Sequence, residues 1–303
     1  DPEIMGNLSK ELIDDLISDC IIKMLETEKI SKSENELTNK FLFKTLDNHF
    51  IETVSMIEEN RHTVCISSQI GCNVDCDFCA TASMGIIRNL NSGEIIEQLS
   101  IIREKIPNPI TNIVFMGMGE PFLNYERVLK AADIFNNPKG FGLGAHRITI
   151  STSGILPKIN QFYEEGRKYK LAISLNASND DTRSKIMPIN KKWSISELVH
   201  VAKKHAHRNR KVMFEYVLMS GINDSTKNAV ELSKILRDVD CKLNIIPYNE
   251  TDGKYKRPSD DSISDFLRVL SLNQKGYRVM VRWSKGQDID AGCGQLAVTN
   301  LDE

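Results

Sequence analysis

The chain has no apolar run approaching the ~18 residues that cross a bilayer, and no basic leader followed by an apolar stretch and a small-residue cleavage site. A cytoplasmic protein without membrane contact is therefore expected. Charge of one sign is not in excess either. The 39 Lys and Arg nearly balance 41 Asp and Glu, a formal net charge of -2, which excludes a uniformly basic nucleic-acid binder but not local basic patches. Nine prolines and 17 glycines in 303 residues are too few for a collagenous or low-complexity chain, and no internal repeat stands out. At 41% hydrophobic and 26% charged, the chain has a globular composition, and its length allows burial of about three quarters of the unfolded surface without staples. An even set of cysteines is also missing. There are seven, three of them within the stretch Cys72 to Cys79, so in a reducing compartment metal binding or catalysis is a better reading than a disulfide framework.

Between Leu8 and Leu25 apolar residues recur at helical spacing (Leu12, Ile13, Leu16, Ile17, Ile21, Met24), ahead of a polar connector rich in Lys, Ser, Glu and Asn. Phe41–Phe43 and Thr53–Met56 then read as short strands of a hairpin or meander. Residues 1–60 are thus expected to form a small N-terminal helical and β appendage to a main domain over 61–303. Beyond Arg61 short apolar runs alternate with amphipathic segments. Strands are predicted at His62–Ser67, Asn112–Met116, Arg147–Ser151, Lys170–Leu175, Lys211–Leu218, Lys242–Pro247 and Tyr277–Arg282. Helices are predicted at Ser92–Lys105, Tyr125–Phe135, Asp180–Ile186, Ser194–His207, Ser225–Val239 and Ser262–Leu272. Nearly continuous apolar strands demand burial on both faces, so the fold class is α/β, a parallel barrel or an open parallel sheet. In both, ligands lie at the C-terminal ends of the strands.

Just after the first of these strands stands Cys72-Asn73-Val74-Asp75-Cys76-Asp77-Phe78-Cys79, a C-x3-C-x2-C triplet. Structural zinc takes four protein ligands, usually as two separated pairs, and no second pair is present. A four-iron cluster held by three thiolates leaves one iron open to bind something else. On a loop after a strand, this spacing is a strong signal for the radical S-adenosylmethionine (SAM) superfamily.

Further segments narrow the resemblance: Cys65 to Cys72, Cys79-Ala80-Thr81-Ala82, Arg88-Asn89-Leu90, Gly117-Met118-Gly119-Glu120-Pro121, Ser151-Thr152-Ser153-Gly154, Met187-Pro188-Ile189-Asn190 and Asp288-Ile289-Asp290-Ala291-Gly292-Cys293-Gly294-Gln295-Leu296. From about Glu52 to Leu296 the chain resembles the RlmN/Cfr family of radical SAM ribosomal RNA adenine methyltransferases. The resemblance implies a partial (β/α)6 radical SAM barrel with one [4Fe-4S] cluster on Cys72, Cys76 and Cys79, and SAM on its open iron. It implies methylation of adenine carbon 2 in 23S rRNA and, as a second substrate, tRNA. An external one-electron donor such as flavodoxin or ferredoxin is needed, and the enzyme is expected to be a monomer. Carbon 8 methylation, which confers antibiotic resistance, is the alternative within the family; Gly119 to Asn124 and Ser151 to Gly154 look closer to the carbon 2 branch. From different classes come a radical SAM protein-activating enzyme and a catalytically silent RNA-binding relative, and neither needs the pairing of Cys65 with Cys293.

Adenine carbon 2, between two ring nitrogens, is too electron-poor to attack the SAM methyl directly. In the family's chemistry Cys293 first takes a methyl from SAM as a thiolate. A SAM-derived radical then removes hydrogen from that methyl, the carbon adds to adenine, and Cys65 releases the adduct as the resolving thiol. Alone, Cys65 on an alternating strand reads as a buried small hydrophobe, whereas Cys293 between two glycines has little cover. Glu52 corresponds to a family proton acceptor, with Cys65 a competing base. Gly119, Glu120, Ser151, Ser174, Leu175, Asn176 and Asn249 match SAM-contacting positions, although Asn176 stands where the family has His, and Tyr248-Asn249-Glu250 where it has an aromatic-Asn-Pro turn. Cys20 and Cys241 match no functional position and read as buried. Lys191-Lys192 and Lys254 to Arg257 fall near the expected barrel mouth, where phosphate contacts would position RNA; the run Lys203–Lys211 reads as a solvated face on the far rim. The stretch before the triplet is shorter than is usual in the family, so an accessory domain that helps grip RNA is expected to be reduced or cut away.

Overall fold

A computed structural model describes residues 6, 8–19, 23–205, 211–251, 253–274 and 276–298. Helix α1 (Lys10–Asp19) opens the chain, and the segment expected as a polar connector is instead strand β1 (Leu25–Lys32). Its exposed Glu and Lys positions hid it. It is an edge strand, where charge on the open side is tolerated and discourages further pairing, and a bulge between Thr27 and Lys29 interrupts its register. Strands β2 (Thr38–Thr45), β3 (Phe50–Glu58) and β4 (Arg61–Cys65) follow as an antiparallel meander. The boundary expected near residue 60 thus falls at the β3–β4 turn, inside one continuous sheet.

After β4 come β5 (Gln69–Gly71), the short α2 (Ala80–Ser83) and β6 (Ile86–Asn89); β5 and β6 form a separate two-stranded ribbon. The chain then alternates α3 (Ser92–Lys105), β7 (Asn112–Phe115), α4 (Tyr125–Asn136), β8 (Ile148–Thr152), α5 (Leu156–Glu164) and β9 (Lys170–Ser174). It continues through α6 (Asp180–Ile186), α7 (Ile195–His205), β10 (Val212–Leu218), α8 (Thr226–Ile235), β11 (Cys241–Pro247), α9 (Asp260–Asn273) and β12 (Arg278–Val281). From β4 onward β7, β8, β9, β10, β11 and β12 pair parallel in chain order. Strand order that never reverses is the winding of a barrel wall. Because β1 and β12 are the edges of the ten-stranded sheet, the barrel is partial and open.

The predicted strands and six predicted helices are all present, with ends shifted by a few residues. Helix α5 was not predicted. Its Pro157 sits in the first turn, where a missing N–H costs nothing. The core lies between sheet and helices, with Val64, Ile113, Ile150, Ile173, Phe214 and Leu243 fully buried on the strands. Among the described residues no helix is long and apolar enough to cross a membrane. Cys20 and residues 206–210 of the basic run lie outside the described residues, and Cys241 is buried as expected.

Candidate active site

The β5–β6 ribbon carries the cysteine triplet above the C-terminal ends of the parallel strands. Gly71 (φ 73°) makes this possible, since a Cβ there would stand 1.8 Å from the Gly85 carbonyl oxygen. Hydrogen bonds from Cys72 N to Gly85 O (2.8 Å), Cys79 N to Cys76 O (3.0 Å) and Asp77 N to Ile186 O (2.9 Å) shape the loop. The Asp77 carboxylate accepts from Lys254 Nζ and Tyr255 Oη, locking the loop to the segment after β11. Burial pushes the Cys72 thiol up to about 12 and Cys76 well above its ordinary value, with the neighbouring thiols and Glu120 adding to it. Such thiols ionise when a cationic centre joins them. Among the described residues no three Cys, His, Asp or Glu groups are placed to hold a single metal ion. Structural zinc takes four protein ligands, whereas a four-iron cluster held by three thiolates keeps one iron open, and three thiols on one loop fit the cluster.

A cavity of about 150 Å³ lies against the triplet, walled by Gly119 and Glu120 after β7, Ser151 at the end of β8, Ser174 and Asn176 at the end of β9, and Glu215 of β10. Gly119 (φ 95°) leaves room for Gln69, which a Cβ would approach to 2.5 Å. Glu120 is fixed by backbone amides, with acceptor capacity left on each carboxylate oxygen. Its Oε1 accepts from Phe122 N (3.0 Å) and Oε2 from Ser153 N (2.6 Å), tying the end of β7 to that of β8, while burial raises its pKa. Asn176 adopts φ 56°, and its amide oxygen accepts from Val217 N (2.9 Å). Leu175 is buried behind the wall and meets Glu215 O through its own N–H (2.9 Å). Asn249 does not line this cavity either. Its amide donates to Cys293 O (3.0 Å) and accepts from Gln287 Nε2 (2.7 Å), so it braces the Cys293 turn.

Sequence reasoning missed Arg183. This fully buried guanidinium donates to the carbonyls of Ser153 (2.7 Å), Ser174 (2.8 Å) and Leu175 (2.9 Å) and to Asn190 Oδ1 (3.0 Å), gathering the ends of β8 and β9. Asn190 belongs to the Met187–Asn190 motif, which was the available signal.

A second cavity, about 840 Å³, fills the inside of the partial barrel. Cys65 and Cys293 both line it, and Cys293 lines the smaller cavity as well, so it stands where the two meet. Burial pushes the Cys65 thiol up to about 12, with Cys293 adding to it. Burial also raises Cys293, opposed by the half-buried Arg282. The segment carrying Cys293 is tied down by Ala80 N to Gly294 O (2.8 Å), Thr81 Oγ1 to Leu296 O (2.5 Å) and Ala297 N to Glu52 Oε2 (3.0 Å). Glu52 lines neither cavity. Its other oxygen pairs with Lys40 Nζ (3.0 Å), and burial raises its pKa against that cation.

The far end of the large cavity is basic. Arg61, Lys168, Lys170, Lys211 and Lys242, at or beside the starts of β4, β9, β10 and β11, line it. Burial lowers the Lys170 pKa, and Lys242 and Arg61 lower it further, a crowding of like charges suited to a polyanion. Lys211, expected on a solvated face, lines the cavity rim while pairing with Asp240 (2.6 Å). Lys254 is instead engaged with Asp77, and Arg257 pairs with Asp260 and stacks over Trp283.

A thiol triplet raised on a loop above the ends of a partial parallel barrel, with a ligand cavity at its side, defines a radical SAM enzyme, and residues 66–233 match the radical SAM superfamily. The chain is 42% identical over 294 residues to a probable dual-specificity RNA methyltransferase RlmN of Clostridium botulinum, covering 96% of this chain and 84% of that one. It is 43% identical to the dual-specificity RNA methyltransferase RlmN of Lawsonia intracellularis, covering 100% and 87%. A crystal structure of a radical SAM methyltransferase from Sphaerobacter thermophilus superposes with a TM-score of 0.93 at 42% identity, covering 98% of this chain and 88% of that one. The chain belongs to the RlmN family of radical SAM RNA methyltransferases.

Proposed function

We propose that the enzyme methylates carbon 2 of an adenine in 23S rRNA, and in tRNA, through a methylcysteine at Cys293. One observation carries this reading: Cys293 lines both the cavity beside the triplet and the larger cavity that also holds Cys65. A methyl on its sulfur would face the triplet side and the substrate side at once. The dual-specificity name of the relatives supports a second RNA substrate.

In this scheme Cys72, Cys76 and Cys79 hold a [4Fe-4S] cluster, and Gly119, Glu120, Ser151, Ser174 and Asn176, which wall the adjoining cavity, surround SAM. The cluster and SAM, reduced by an external donor such as flavodoxin or ferredoxin, supply hydrogen-atom abstraction. Cys293 attacks the SAM methyl as a thiolate, a form that the Arg282 cation favours. The adenine enters from the basic rim, where Lys170 and Lys242 contact phosphates and leave the base free to reach the two thiols. Once the adduct has lost one electron and the carbon 2 proton, the Cys65 thiolate attacks the Cys293 sulfur, the carbon–sulfur bond breaks as the released carbon takes a proton, and the Cys65–Cys293 disulfide left behind is returned to two thiols by an external dithiol reductant. Glu52, pinned by Lys40 and Ala297, holds the Cys293 segment in place. Mass spectrometry of ribosomal and transfer RNA nucleosides from cells with and without this protein tests the reading. 2-Methyladenosine should disappear with the protein. Loss of 8-methyladenosine instead would assign carbon 8, and no change in either would contradict the proposal.

A further inference from the structure

Trp283 stands two residues past the end of β12, the edge strand on the open side of the partial barrel, and is 53% exposed. Every other Phe, Tyr and Trp among the described residues is buried or half-buried. A lone exposed apolar side chain is ordinary, but this one lines the large cavity that holds Cys65 and Cys293. It is also held ready. The Arg257 guanidinium lies over the indole, 5.7 Å from its centroid, and is itself tied to Asp260 Oδ1 (3.0 Å), while Arg257 N donates to Glu250 Oε1 (3.2 Å). The preceding residue is anchored too: Arg282 N donates to Ile245 O (2.9 Å), and its Nη1 stands 3.8 Å from Glu215.

The surroundings decide what the ring meets. Its neighbours Arg257, Arg282, Ser284 and Lys285 are cationic or polar, which suits an anionic strand better than an apolar protein or lipid surface. The other end of the same cavity carries Arg61, Lys168, Lys170, Lys211 and Lys242. Cations that track a backbone, together with an aromatic face that takes a base, are the combination that holds single-stranded nucleic acid, and unpaired bases stack on aromatic rings. In the proposed function the target adenine must leave its stack to reach the two thiols. The base beside it then loses a stacking partner, and an indole at the cavity mouth takes that partner's place.

We propose that Trp283 is an RNA-binding residue on which a base flanking the target adenine stacks, with Arg257 holding the ring. This rests on the proposed function and adds a nucleobase subsite to it. It is tested on the reconstituted enzyme by anaerobic fluorescence titration and filter binding, with an unmodified 23S rRNA fragment that contains the target adenine and with versions carrying an abasic ribose at each nucleotide beside that adenine. Trp193 and Trp283 are the only tryptophans, so in a Trp193→Phe background RNA should quench the emission of Trp283. Trp283→Ala should weaken binding roughly five- to a hundredfold, the range for one base stacked on an aromatic ring, and Trp283→Phe should weaken it less. The ring meets no phosphate, so the salt dependence should stay as in wild type. At least one abasic fragment should bind wild type more weakly by a similar factor and Trp283→Ala no more weakly than the intact fragment does, the signature of one shared contact. Unchanged affinity in Trp283→Ala, or equal abasic losses in both proteins, would overturn the assignment, as would quenching that follows protein concentration without RNA, which would give the ring to a second copy of the chain. Failure of wild type itself to bind the RNA would instead remove the substrate, and the proposed function with it.

Discussion

Cys65 and Cys293 share a cavity, yet their surroundings differ. Cys65, on β4, is buried, whereas Cys293 is in a turn with Arg282 opposing the effect of burial. A raised thiol pKa means that the thiolate is the minor form at neutral pH and grows as pH rises. Methyl loading onto Cys293 should therefore accelerate with pH, and Arg282→Met should shift that profile to higher pH while Arg282→Lys largely preserves it. Mass-spectrometric timing of methylcysteine formation across pH 6.5–9 (~0.5-unit steps suffice for a single titration) reads this directly. Loading indifferent to both pH and Arg282 would deny the cation its role. At this scale the sequence was informative where the chemistry is local. The triplet and the Gly-Cys-Gly turn are each a few residues long and legible as spacings. Glu215 and Arg183 were not, because a carboxylate or guanidinium amid a strand or helix does not reveal which chain ends it will meet across the fold.

At the scale of elements, the site is held by ties between segments distant in sequence. Arg183→Met would remove four buried hydrogen bonds, those to Ser153 O, Ser174 O, Leu175 O and Asn190 Oδ1, of which only Leu175 O is known to keep another donor, the Ala177 amide. At ~1–3 kcal/mol per unsatisfied group, a loss of about 3 kcal/mol or more in urea unfolding is expected; a loss under about 1 kcal/mol would show that water or rearrangement replaces the tie. Glu52 offers a sharper discrimination. As an anchor it needs only an oxygen for Ala297 N, so Glu52→Gln should retain most methyl transfer and Glu52→Ala should lose much of it, whereas a proton acceptor would fail equally in both. Single-turnover assays separate the two. The βα rhythm was legible in the sequence because buried strands are continuous apolar runs. Strand β1 was not, since an edge strand exposes charged residues at the very positions that pattern reading uses.

Across the whole molecule, a net charge of -2 conceals a basic rim assembled from Arg61, Lys168, Lys170, Lys211 and Lys242, residues far apart in the chain that the parallel strands bring together. RNA binding should weaken steeply with salt, and Lys170→Glu with Lys242→Glu should lower affinity for all RNA sequences alike while flattening the salt dependence by about one ion per lost phosphate contact. Filter binding at several salt concentrations measures both effects; an unchanged slope would place the RNA on another face. The proposed chemistry stands on the division of labour between the two thiols. Its most direct test is mass spectrometry of the Cys65→Ala variant after anaerobic reaction with SAM, a reductant and RNA, followed by ribonuclease digestion. The peptide containing Cys293 should carry a covalently attached adenosine bridged by one carbon, and Cys293→Ala should show neither methyl nor adduct. A Cys65→Ala protein that releases methylated RNA like wild type, with no adduct on Cys293, would contradict this division of labour.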